Sequence, residues 1–199
     1  MRVARGYRQQ GEEATSTLLY SGRTARAAHS GSPTITYPSI LLAIVVGILH
    51  AALSPSIEVA GVKPNLVEVA VVLVTACFGF LPGLTWAFVA GTTANLLVPE
   101  PLGLIPLTLL AAAAAVAGGQ RLLGRLPWIY PVLAVFAASV GVDVATLLIL
   151  RLVGEPLATG LPMQLILQAA LLNAVIGAGL LYPTRILAER YAPEEKAAW

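Results

Sequence analysis

Two carboxyl groups stand inside apolar sequence, and they are the residues with most capacity for chemistry. Glu68 lies in Leu66-Val67-Glu68-Val69-Ala70, and Asp143 in Gly141-Val142-Asp143-Val144-Ala145. In such surroundings a carboxyl can relay a proton, pair with a cation or hydrogen-bond a neighbouring segment. To act as an acid–base pair the two would have to be joined by packing, because they are far apart in the chain. Other chemistry is thinly supplied. The only two histidines are His29 and His50, so the ligand spacing of a metal site is missing. There is no Gly-rich phosphate loop and no nucleophile elbow. Cys77 is the single cysteine, which excludes an intrachain disulfide, and its apolar neighbours make it read as a small buried hydrophobe. These residues predict a protein that is not an enzyme and uses no metal or cofactor.

The elements that must position Glu68 and Asp143 follow from composition. Of 199 residues, 57% are hydrophobic and 11% charged, whereas a soluble domain carries about 25% charged residues. The charges also collect at the ends. Arg2, Arg5, Arg8, Glu12, Glu13, Arg23 and Arg26 lie in residues 1–36, and six more lie in 184–199. What remains between them cannot clothe a soluble globule. This excludes a cytosolic enzyme, a nucleic-acid binder with a basic stripe and a secreted disulfide scaffold. An all-α polytopic membrane protein is the class left.

Six apolar segments approach the roughly 20 residues that cross a bilayer: 38–54, 64–79, 83–98, 102–119, 128–153 and 161–183. In lipid each must satisfy its own backbone, so all six are expected to be helices. Proline marks their boundaries at Pro38, Pro64, Pro82, Pro101, Pro162 and Pro183. Gly79-Phe80-Leu81-Pro82-Gly83 predicts a tight turn between the second and third helices. The expected organisation is a disordered basic arm over 1–36, a six-helix membrane domain over 37–184 and a tail over 185–199. The arm has no apolar run that would make it a secretory signal.

Lysine and arginine set the expected orientation. With the N-terminus inside, the cytoplasmic face holds the five arm arginines, Arg121, Arg125, Arg185, Arg190 and Lys196, against Lys63 and Arg151 outside. Both termini are then cytoplasmic. On this topology the polar residues are biased outward. Asn65 lies at the outer surface and Glu68 one turn below it, able to snorkel beside Lys63. His50, Asn95, Asp143, Gln164 and Gln168 also fall in the outer halves, while Asn173 lies near the middle. Together they suggest an outward-opening polar pocket or a contact surface for a partner. A stripe of small residues, Ala43, Gly47 and Ala51, would let another helix approach the first one closely, either within the chain or from a partner. Ala137 and Gly141 have the same character.

The second to fourth segments resemble the rod-shape-determining MreD family. The likeness begins at Pro64-Asn65-Leu66, continues through Gly83 and Gly91 to Asn95-Leu96-Leu97, and closes with Pro101-Leu102-Gly103-Leu104. Asn65 and Asn95 stand where the family often has aspartates. The six-helix layout and short loops fit over about residues 40–185. The resemblance implies a non-catalytic scaffold of the bacterial cell-elongation machinery. Such a scaffold associates with the single-pass protein MreC. It helps organise a peptidoglycan glycosyltransferase and transpeptidase pair along the MreB cytoskeleton. It also implies a fold similar to the six-helix substrate-binding subunit of energy-coupling-factor transporters. A vitamin-capturing subunit of that kind is the alternative expectation, in which the outer polar residues line the pocket.

Overall fold

The computed structural model describes residues 33–53, 56–58, 61–123, 128–154 and 163–191. Among these the chain is all-helical. The helices are α1 (Pro33–Leu53), α2 (Leu66–Phe78), α3 (Phe80–Leu97), α4 (Leu104–Leu123), α5 (Tyr130–Val153) and α6 (Met163–Tyr191). By length and composition, α5, α6 and the stretch Leu104–Leu122 of α4 are able to cross a membrane. The first described element starts at Pro33, earlier than the expected 38, and α6 runs on to Tyr191, into the expected tail. The rest of the arm, Arg125, Glu155, Pro162 and Lys196 lie outside the described residues.

Contacts fix how the helices run. Ser39 pairs with Trp86 and Gly47 meets Ala90, so α1 and α3 are parallel. Gly83 sits against Thr75, Gly91 against Pro106 and Gly177 against Val135. The hairpin pairs α2–α3, α3–α4 and α5–α6 are therefore antiparallel. Helices α2, α4 and α6 share one direction, with Gln120 Nε2 donating to Ala76 O over 3.0 Å and Asn65 N–H to Asn173 Oδ1 over 2.9 Å. The bundle thus has an Asn65 end, where α2 begins, and a Gly79 end, where it stops.

Helix α2 is the centre, touching all five other helices. Its 13 residues make a rod of only about 20 Å at 1.5 Å per residue, short of the roughly 30 Å of a bilayer core. It is apolar all round, as a helix enclosed by others must be. Val67, Val71 and Val74 pack with Ala43, Ala87, Ala90 and Leu109 on one side. Val69, Val72, Leu73 and Ala76 pack with Val135, Leu181 and Ala188 on the other. Runs of valine favour strands in water. Here enclosure away from water leaves helix as the state that satisfies the backbone locally.

Large apolar side chains point away from the bundle on its outer helices, among them Leu41, Val45 and Ile48 of α1, Leu152 of α5 and Leu171 and Val175 of α6. That is the surface a lipid-facing protein presents. Two of the prolines read as boundaries, Pro38 and Pro183, are inside α1 and α6. The Gly79–Gly83 link is tighter than a loop. Gly79 alone separates α2 from α3, at φ +105, and residues 80–83 already form the first turn of α3.

Candidate functional site

The site is built where α2 begins. A helix that starts inside a bundle exposes N–H groups which water cannot reach, so side chains must take them. Asn65 is the N-cap: its Oδ1 accepts from Glu68 N–H over 3.2 Å. The Asn65 N–H in turn donates to Asn173 Oδ1 of α6 over 2.9 Å. Asn173 Nδ2 then donates to Ser139 Oγ of α5 over 3.0 Å. One asparagine therefore ties three helices together.

Glu68 is enclosed by this network with 0% of its surface exposed, and Ser139 is equally buried. Neither Glu68 carboxyl oxygen has a hydrogen-bond partner. The Ser139 hydroxyl and the Asp143 carboxyl of α5 are the side chains that face it. Asp143, one turn beyond Ser139, is half-buried. The node thus contains two carboxyl groups, one of them dry, together with a hydroxyl and two carboxamides.

This arrangement corrects two sequence expectations. Asn65 does not lie at the rim: it meets Asn173, which is ten residues into α6 from Met163, or about 15 Å along the helix. Nor does Glu68 snorkel, because it is fully buried while Lys63 is exposed. The reason is the shortness of α2, which starts well below the ends of α5 and α6.

The expected outer cluster is only partly assembled. Asn65, Glu68 and Asp143 converge. Asn95 is buried elsewhere, where its Oδ1 accepts from Gly103 N–H at 2.6 Å and its Nδ2 donates to Pro101 O at 3.2 Å. His50 is half-buried in the last turn of α1, with Nδ1 unpartnered. Gln164 and Gln168 are exposed on α6. A single pocket lined by all seven residues is therefore not formed. Ser139 and Asn173, which complete the node, were not among the candidates. A serine in an alanine-rich helix and an asparagine in mid-helix carry no spacing signal; only the depth of Asn173 hinted at a role.

The motif residues have their own place. Gly103 takes φ +92 in the α3–α4 turn that Asn95 clamps, and Gly91 lets α3 approach α4 so closely that a Cβ there would lie 2.9 Å from Pro106 Cα. Pro64 is buried just ahead of the α2 cap. In the small-residue stripe, Ala43 is fully buried and a Cβ on Gly47 would meet Ala90 O at 2.8 Å. The stripe is used within the chain, against α3, with Ala51 half-buried at its end.

A groove of about 410 Å³ runs between α4 and α5, lined by Ala111, Ala115, Gly119, Ala137 and Gly141. Tyr130 closes its Gly79 end by donating to Val116 O. Near the same end of the molecule the Arg185 guanidinium lies 4.2 Å from the centre of the Trp128 ring. Among the described residues no group of three or more His, Cys, Asp or Glu side chains is placed to hold a metal ion. No family model, curated protein or solved structure matches this chain.

Proposed function

We propose that this chain is a non-catalytic scaffold of the bacterial cell-elongation machinery, with all six helices in the cytoplasmic membrane and both termini in the cytoplasm. One observation carries the reading. The positions that carry its resemblance to the MreD family act as joints: Asn65 and Asn95, where the family often has aspartates, respectively cap α2 and hold Pro101 and Gly103 in the turn, and Gly91 seats α3 on α4. A motif made of joints suits a protein whose product is its shape. The partner is MreC, and through it the peptidoglycan glycosyltransferase and transpeptidase pair.

The α4–α5 groove supports the same reading. Its alanines and glycines let a foreign helix backbone come close, which is how membrane helices associate without a hydrophobic driving force. The test is mass spectrometry of the gently solubilised, tagged protein. MreC and a peptidoglycan synthase should accompany the wild type, and Ala137→Trp, which fills the groove from an exposed position, should lose MreC while remaining folded. Recovery of ATPase subunits and a bound vitamin would replace this reading with the other one, a substrate-binding subunit of an energy-coupling-factor transporter.

A further inference from the structure

Among the described residues the Glu68 carboxyl has no answering charge. Helix α3 contains no charged residue, and the charged residues of α4 and α6 are Arg121, Arg185, Glu189 and Arg190, all towards the Gly79 end. Helix α1 contributes His50 at the Asn65 end, and α5 contributes Asp143 and the exposed Arg151. Lys63, ahead of the cap, is exposed. The start of α2 adds about half a positive charge, against two carboxyl groups. Buried carboxylates are normally paired or bound to a cation, and among the described residues none pairs with Glu68.

The side chains that face the carboxyl, Ser139 and Asp143, offer oxygen ligands of the hard type. Neither Glu68 oxygen has a partner within hydrogen-bond geometry, and the Ser139 hydroxyl faces them as a donor. Ser139 Oγ accepts one bond, from Asn173, and Asn173 Oδ1 accepts one, from Asn65, so each retains a lone pair. Asp143 is half-buried and lies one turn beyond Ser139, towards the Asn65 end. Divalent ions collect several carboxylates in six to eight contacts. This node has one fully buried carboxylate, a half-buried one and two neutral oxygen groups, too few for such a shell, and a single charge suits it better.

We infer that the node formed by Glu68, Ser139, Asp143 and Asn173 is a binding site for a monovalent metal cation, which locks the start of α2 to α5 and α6. The proposal is independent of the scaffold reading, because it concerns an ion and is read by stability, not by partner recovery.

The test is thermal unfolding of the full chain in detergent micelles at pH 8, in NaCl or KCl series held at constant ionic strength with choline chloride. The Tm should rise with sodium or potassium, by an equal step for each tenfold increase above half-saturation. Glu68→Gln should fold and lose the response. Ser139→Ala should keep it but need about tenfold more salt, as for one lost ligand. Superimposable wild-type curves in sodium, potassium and choline overturn the proposal and leave the node to protons. A response that survives in Glu68→Gln overturns it equally, since the ion then binds elsewhere.

Discussion

Asn173 holds the half-buried start of α2, and Asn95 holds the α3–α4 turn. Removing the Asn173 side chain frees the Asn65 N–H and the Ser139 oxygen together. A buried polar group left unpaired costs about 1–3 kcal/mol, while interhelical bonds in membranes average about 0.6 kcal/mol. Asn173→Ala should therefore lower the Tm in micelles more than Asn173→Ser, which keeps an acceptor. At Asn95 the two bonds can be separated. Asn95→Asp retains the acceptor for Gly103 N–H and loses the donor to Pro101 O, so it should be milder than Asn95→Ala, which loses both. Equal losses in the two variants would mean that the Gly103 bond contributes nothing. Glu68, Asp143 and Asn95 were legible in the sequence as polar residues in apolar runs. Their separation into a node and a turn clamp was not, since depth along a helix says nothing about which face it turns to its neighbours.

At the scale of elements, close approach is set by residues without side chains. Gly47→Leu would force α1 away from Ala90 and Thr93 of α3, and overpacking of this kind costs about 1–3 kcal/mol. The expected result is a lower Tm together with a change in Trp86 fluorescence, because Trp86 Nε1 donates to Ser39 Oγ across the same interface at 2.8 Å. Gly79 is different. Its surroundings are open, but φ +105 is a backbone state that a side chain resists, so Gly79→Ala should cost about 1–3 kcal/mol through strain alone. Proline punctuation was misleading at Pro38 and Pro183. Within an apolar helix the carbonyl that a proline frees, Gly179 O for Pro183, can be met by neighbouring groups. Pro64, also read as a boundary, does stand just ahead of the Asn65 cap of α2.

For the whole molecule, orientation is the property most open to a direct check. Cys77 is the only cysteine and is buried, so added cysteines can be labelled against a low background. On the proposed topology, Lys63→Cys should react with an impermeant maleimide in intact cells. Arg121→Cys, exposed near the other end, should react only after the membrane is opened. The reverse pattern would invert the molecule and put the Glu68 node nearer the cytoplasm. Polar candidates gather towards the Asn65 end, and Arg121, Arg185 and Arg190 towards the other; that separation is the asymmetry the labelling reads.

Sequence by itself determined that the described chain is helical and apolar, and where most helices lie. Charge content and hydrophobic length are properties of each segment alone, and a backbone without water has one local solution. It also located the small residues at which helices would meet. Only the tertiary structure decided that the shortest apolar segment, α2, is the centre. A helix enclosed by five others need not span the membrane unaided, and no local property of its 13 residues announces that enclosure. The burial of Glu68 follows from the same fact. Because α2 starts below the rim, its first-turn carboxyl falls among Ser139 and Asn173, residues of two helices that packing alone could bring to it.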